Sequence, residues 1–216
     1  MNIKEFSVAM ENLVFNQKDY VQYFYKWKPG ANNILYITGY SGSGKSTLSK
    51  EIAKKYNAIV IEIDIFEWGY DSSGVNIINK CKAKLPDYKK GLESKWKNPD
   101  GSDMPDDDVV KLISKAANYA LSICKKDSKN LYIFEGLQIF RRFNTSKLKS
   151  APMIIKVTSA LVSEFRALKR GLANNKMREN KKRDIDIIKG HLKSHLPMNV
   201  KDDRRLNKFK ERIQSR

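Results

Sequence analysis

Gly39-Tyr40-Ser41-Gly42-Ser43-Gly44-Lys45-Ser46-Thr47 is a complete G-x-x-x-x-G-K-[ST] string. It stands between an apolar run, Asn33-Ile34-Leu35-Tyr36-Ile37-Thr38, and a helix-forming segment, Leu48 to Tyr56. That setting decides the fold. Four fixed positions turn up by chance in about one chain of this length in a hundred, given ordinary Gly, Lys and Ser/Thr usage. A buried strand before the string and a helix after it make coincidence far rarer. The physical reason is specific. The glycines let the backbone wrap so that its N–H groups face one anionic cluster, and the helix N-terminus adds the positive end of its dipole. Lys45 can reach the β- and γ-phosphates, and the Ser46 hydroxyl can ligate Mg²⁺. Gly39, Ser41, Gly42, Ser43, Gly44, Lys45, Ser46 and Thr47 are therefore expected to hold a nucleoside triphosphate, ATP, together with Mg²⁺.

Outward from the loop, strands alternate with helices. Upstream, Ile3, Phe6, Met10, Leu13 and Val14 fall near one helical face, which predicts an amphipathic lead-in from Ile3 to Trp27 closed by Pro29-Gly30. Downstream, Ala58-Ile59-Val60-Ile61-Glu62-Ile63 is short and β-branched, as suits a strand buried on both faces, and it ends at Asp64. The stretch from Phe66 to Asp103 resists reading. Val75 to Lys84 suits a helix capped by Ser72 or Ser73, but Pro86, Gly91, Pro99 and Gly101 interrupt the residues beyond it. Acids at Asp106-Asp107-Asp108 behind Pro105 start a helix to about Lys125, with Val109, Leu112, Ile113, Ala116, Ala120, Leu121 and Cys124 inward. A third strand, Leu131-Tyr132-Ile133-Phe134, ends in Glu135-Gly136, and a fourth spans Met153 to Val157. A helix capped by Ser159 comes next, and then charged helical patterns over Asp184–Leu196 and Asp202–Ile213. No fifth strand is visible. Such alternation implies right-handed crossovers and a parallel sheet covered on both faces.

The chain has 216 residues, enough for one α/β domain with an appendage. No eighteen-residue apolar run and no secretory pattern occur, so neither a membrane nor export is expected. Cys81 and Cys124 stand far apart in no metal-type spacing, which fits reduced thiols and a cytoplasmic setting. The formal charge is +18, and from Arg166 to Arg216 there are 17 Lys or Arg against 6 Asp or Glu. A segment of that kind attracts polyanions, nucleic acid among them, or is simply a solvated helical surface.

Ligands of a parallel α/β sheet sit at the carboxyl ends of its strands. Those ends carry the loop, then Asp64, then Glu135. Two carboxylates beside a triphosphate suggest two tasks, binding Mg²⁺ and accepting a hydroxyl proton, although either acid can also serve as a plain helix cap. The loop, Ile63-Asp64 and Ile133-Phe134-Glu135-Gly136 together resemble the P-loop kinases of small molecules. These include the nucleotide, nucleoside and shikimate kinases, the polynucleotide 5′-kinases and the zeta-toxin-type sugar-nucleotide kinases. The resemblance covers roughly residues 33 to 170. It implies that Asp64 is the base and that Glu135 serves Mg²⁺ or the acceptor.

The same resemblance implies an arginine-bearing lid after the fourth strand. Arg166 and Arg170 lie four apart, on one helix face, with Arg178 and Arg183 beyond them. They can clamp phosphate oxygens, as can their competitors Arg141 and Arg142, with Arg141 a candidate for gripping an anionic acceptor. Trp68, Tyr70 and Asp71 fall where an acceptor would lie, or else the aromatics are packed. His191 and His195 have zinc-like spacing but no third ligand nearby, and Asp71-Ser72-Ser73-Gly74 imitates a GTPase motif without a preceding strand.

The expectation is an α/β P-loop NTPase three-layer sandwich with a short parallel sheet of about four strands. Its parts are an N-terminal helical lead-in (1–30), the kinase-like core (31–175) and a basic helical lid or tail (176–216). Its function would be ATP-dependent transfer of the γ-phosphate to a hydroxyl of a small molecule or of a 5′-hydroxyl nucleic-acid end. Lys45, Asp64, Glu135, Arg166 and Arg170 would be the catalytic residues. The alternative is an ATPase or nucleotide-gated protein whose basic C-terminus engages nucleic acid.

Overall fold

The computed structural model describes residues 21–22, 32–39, 42–70, 76–143, 148, 151–156, 172–173 and 186. The chain divides into two compact units, Met1–Thr38 with Ser46–Ile155, and Gly39–Lys45 with Lys156–Arg216. In chain order the elements are β1 (Val21–Gln22), β2 (Ile34–Gly39), α1 (Lys45–Tyr56), β3 (Ala58–Glu62), α2 (Ile65–Trp68), α3 (Ile77–Lys84), α4 (Pro86–Glu93), α5 (Asp106–Lys126), β4 (Leu131–Glu135), α6 (Ile139–Arg142) and β5 (Met153–Lys156). The strands form one sheet in the order β1-β5-β2-β4-β3. Its four main strands run parallel, with Ile37 opposite Glu135 and Glu135 opposite Glu62. The architecture is compatible with the expected sandwich.

Period-two alternation divides the buried residues of β2 and β4 between two faces. Leu35, Ile37 and Ile133 pack with Leu48 and Ile52 of α1 and with Ile154. On the opposite face Tyr36, Phe134 and Phe143 meet in tilted and edge-on ring contacts, with centroids 5.6–6.1 Å apart. Each isoleucine fully buried in this way contributes roughly 1.5–3 kcal/mol. Helix α5 has three acids in its first turn and Lys125 and Lys126 in its last, so charges oppose the dipole at both ends. It buries Ile113, Ala116, Ala117, Ala120 and Cys124, and its small alanines let α2, α3, α4 and α6 pack against it.

Several expectations change. Val21–Gln22, read as part of a helical lead-in, is a strand antiparallel to β5, and it supplies the fifth strand that the pattern did not show. An edge strand offers unpaired N–H and C=O groups, and two residues suffice to take some of them up. Strand β3 was expected to be buried on both faces, yet it closes the sheet's other edge and only Ile61 in it is fully buried. Its β-branched residues satisfy strand preference rather than two-sided burial. Pro86 and Gly91, read as interruptions, belong to helix α4, whose first residue is Pro86, where a missing N–H costs nothing. Asn76, at φ 52°, precedes α3 and its side chain makes no cap, while the expected caps Ser72 and Ser73 lie outside the described residues. In α5, Val109, Leu112 and Leu121 are only half-buried, while Ala117 is fully so. Cys81 and Cys124 are buried free thiols. Among the described residues no helix is long and apolar enough to cross a membrane.

Candidate functional site

Gly42 and Gly44 take φ of 82° and 89°, the left-handed region that a side chain disfavours. The loop's sequence and its backbone thus agree. Between them Ser43 is fully buried, and its Oγ has no hydrogen-bond partner among the described residues. Lys45 is the first residue of α1, half-buried, and the first turn of that twelve-residue helix carries no acidic residue to neutralise its positive end. Gly39 closes β2 and Thr47 is exposed. Ser41 lies outside the described residues. In the larger unit, Ser46 is half-buried and its carbonyl accepts from Ser49 Oγ at 3.0 Å.

The carboxyl end of the sheet, within the larger unit, is drawn together by backbone bonds. Ile63 N–H donates to the Glu135 carbonyl at 2.8 Å, and Gly136 N–H to the Ile37 carbonyl at 3.1 Å. Gly136 is required by close approach, since a Cβ there would lie 2.9 Å from Ile63 Cβ. Consequently Glu135 ends β4 opposite both Ile37 and Glu62, and Asp64 stands two residues after Glu62. Glu135 is only 4% exposed, a costly position for a carboxylate unless it is engaged. Asp64 is half-exposed, and its side chain does not cap α2. Its carbonyl accepts from Glu67 N–H at 3.0 Å and Trp68 N–H at 3.2 Å. The helix-cap reading of Asp64 therefore fails.

The short helix after Asp64 is held from outside. Tyr88 Oη donates to the Phe66 carbonyl at 2.8 Å, Trp96 Nε1 to the Glu67 carbonyl at 3.1 Å, and Lys82 Nζ to the Gly69 carbonyl at 3.2 Å. Burial pushes the Tyr88 phenol up, so it remains a donor. These three side chains come from α3, α4 and the turn after α4, the stretch whose sequence resisted reading. Trp96 and its neighbour Lys95 take φ of 62° and 53°, so this turn is held in a disfavoured backbone. Residues 98–102 fold on themselves through Asn98 N–H to the Ser102 carbonyl at 2.8 Å and Ser102 Oγ to Asp100 Oδ1 at 2.6 Å.

Trp68 and Tyr70 are not packed into the core. They are 58% and 57% exposed and stack on one another, centroids 5.7 Å apart and planes 23° apart. Arg142 is buried and bound into the fold: Nη2 donates to Gln138 Oε1 at 2.7 Å and Nη1 to the Val110 carbonyl at 3.4 Å. This removes it from the competition for phosphate. The Arg141 side chain, Asp71 to Gly74, Arg166, Arg170, Arg178, Arg183, His191, His195 and the basic C-terminal helices lie outside the described residues, as does the lead-in before Val21. Sequence reasoning missed Thr38, whose fully buried Oγ1 has no hydrogen-bond partner among the described residues. The signal was there: a hydroxyl closing an apolar run, one residue before Gly39. It also missed the clamp of Tyr88, Trp96 and Lys82, for which only the folded chain gives a signal.

No family model matches this chain, and no curated protein matches it. Among solved structures it is similar to an unliganded sugar kinase from Janibacter sp., at 16% identity over 76% of this chain and 78% of that one, with a TM-score of 0.34. A likeness that slight carries no argument about activity.

Proposed function

We propose that the protein is an ATP-dependent phosphotransferase that moves the γ-phosphate to a hydroxyl group. The observation that carries this reading is the loop: a complete phosphate-binding string, two glycines in left-handed backbone, and Lys45 opening a helix whose first turn has no acid. A loop of this chemistry fits a triphosphate. Its N–H groups and helix end favour anions, and the partnerless Ser43 hydroxyl is a further group to be satisfied.

In this reading Lys45 neutralises the β- and γ-phosphates. Asp64 takes the proton from the acceptor hydroxyl as that oxygen bonds to the γ-phosphorus and the bond to the β–γ bridging oxygen breaks, releasing ADP. Ser46 and Glu135 offer hard oxygen ligands of the kind Mg²⁺ prefers. Such an ion, held mainly by phosphate oxygens, needs only one or two from the protein. When bound, Mg²⁺ would offset charge on the β- and γ-oxygens. Arg166 and Arg170 are candidates for the remaining charge, and Arg141 for an anionic acceptor.

The test is transfer of labelled γ-phosphate from ATP to three pools: nucleosides and nucleotides, sugars and nucleotide sugars, and 5′-hydroxyl oligonucleotides. Lys45→Ala is the blank. Label in one pool, absent from the blank, is the expected result. The strongly basic segment from Arg166 to Arg216 favours one competing outcome, release of free phosphate stimulated by nucleic acid without labelling it. That result would replace the kinase with a nucleic-acid-dependent ATPase.

A further inference from the structure

Two of the three large hydrophobic side chains that are exposed among the described residues are Trp68 and Tyr70. Scattered exposed apolar residues are ordinary, but two aromatic rings stacked on each other and both more than half in water are a shaped surface. The intervening residue explains how they meet. Gly69 ends α2 in left-handed backbone, φ 79°, with its N–H bonded to the Ile65 carbonyl at 2.8 Å, which turns residue 70 back toward residue 68. A Cβ at Gly69 would press on Leu92 at 3.1 Å, so the turn is also seated against α4.

The rings stand on a fixed base. The Tyr88, Trp96 and Lys82 donors engage the carbonyls of Phe66, Glu67 and Gly69, which is the turn that bears both rings. The same turn starts at Asp64, so the platform lies a single helical turn along one held segment from the proposed base. A rigid aromatic surface beside a base suits an acceptor that presents a flat ring as well as a hydroxyl. The bond from Lys82 to the Gly69 carbonyl sets an ammonium at the foot of the platform, in a chain of formal charge +18. A neutral sugar offers no π-face to the platform, whereas a nucleoside supplies one and a nucleic-acid end adds phosphate oxygens for the ammonium.

Resting on the kinase reading above, we infer that the acceptor carries a nucleobase, which stacks on the Trp68–Tyr70 pair and so presents its ribose hydroxyl to Asp64. The base can belong to a free nucleoside or to the 5′-hydroxyl end of a nucleic acid.

The experiment titrates the full-length protein, without ATP, with adenosine, with a 5′-hydroxyl oligothymidylate and with methyl glucoside, following tryptophan fluorescence and, in parallel, equilibrium dialysis. Saturable binding of a nucleobase ligand is expected. Trp68→Ala or Tyr70→Ala should weaken it about ten- to a hundredfold, and Trp68→Phe only severalfold, with unchanged circular dichroism and melting temperature in each variant. Equal affinity for adenosine and the oligonucleotide identifies the base alone as the recognised unit; a preference for the oligonucleotide identifies a nucleic-acid end. Failure of both to bind, binding of methyl glucoside in their place, or indifference to Trp68→Ala overturns the inference. The two readings fail separately. Nucleobase binding on the platform with no phosphate transfer would sink the kinase and leave the platform. Transfer to an acceptor without a planar ring would do the reverse.

Discussion

The two ends of the central strands contrast in how their polar groups are satisfied. At the amino ends, before β2 and β4, Asn33 Nδ2 donates to the carbonyls of Cys124, Asp127 and Asn130, and Asp127 accepts from Tyr132 Oη at 2.6 Å, Asn130 Nδ2 at 2.8 Å and Lys129 N–H at 2.8 Å. These bonds fasten the end of α5 to the sheet. At the carboxyl ends the buried Thr38 hydroxyl has no hydrogen-bond partner among the described residues, Glu135 is almost wholly buried, and the Asp64 side chain does not cap α2. Folding alone favours the first pattern, since an unmade buried hydrogen bond costs roughly 1–3 kcal/mol. A hydroxyl kept at the carboxyl end against that cost, as that of Thr38 is, is expected where a ligand completes it. On the proposed function, one end serves stability and the other chemistry.

The comparison breaks most visibly at Asp64. If the carboxyl end is chemical, Asp64→Asn should lower the rate of phosphate transfer by roughly 10²- to 10⁴-fold while ATP affinity and melting temperature stay near those of the parent. Rapid-quench transfer beside equilibrium ATP binding checks both halves, and unimpaired transfer would remove Asp64 as the base. The mirror experiment is Asn33→Ala. Its amide shares two hydrogens among three carbonyls in a buried setting, so its loss should cost roughly 2–3 kcal/mol in urea unfolding, with transfer kinetics unchanged at a temperature where the protein remains folded. A large kinetic effect from Asn33→Ala would erase the distinction between the ends.

Thr38→Val sharpens it at smaller scale. Replacing a buried hydroxyl that bonds to nothing with a methyl of similar size should leave stability unchanged or raise it by up to about 1 kcal/mol. The KM for ATP is expected to rise. A loss of stability would show that the hydroxyl already has a partner in the folded protein and is not reserved for a ligand.

Legibility in the sequence divides along the same line. The loop, Asp64 and Glu135 could be placed because strand ends are fixed by short β-branched runs, and chemistry at those ends uses few residue types. Helix α5 was readable from Asp106 to within a residue of its end because acids, apolar spacing and terminal lysines agree. The region from Phe66 to Asp103 was not readable, for a physical reason. Its order comes from contacts far apart in sequence, Tyr88 with Phe66 and Trp96 with Glu67, and from a turn at Lys95-Trp96 that local preference opposes. Neither the exposure of Trp68 and Tyr70 nor the bond from Arg142 to the distant Val110 carbonyl leaves a trace in residue spacing, although Gln138 and Arg142 stand four apart as helix neighbours do. Strand β1 escaped because two residues are too few for any periodicity.

The smallest effect expected is a dependence on pH, and it belongs to the stability end. The Tyr132 hydroxyl first, then the Asn130 amide and the Lys129 N–H, hold the Asp127 carboxyl well below the usual carboxylate range. A carboxyl depressed in the folded state stabilises fully above its unfolded pKa, about 3.9, and that contribution is lost as pH falls through the lower folded value. Melting temperature recorded from about pH 7 down to about pH 2 should therefore fall on an acid limb that begins near pH 4, part of which is due to Asp127. Asp127→Asn keeps an acceptor for Tyr132 but cannot titrate, so its melting temperature should start slightly lower near pH 7 and fall less steeply below about pH 4. Tyr132→Phe should shift the same limb by removing the main cause of the depression. An acid limb as steep in Asp127→Asn as in the parent would assign the sensitivity to other carboxylates.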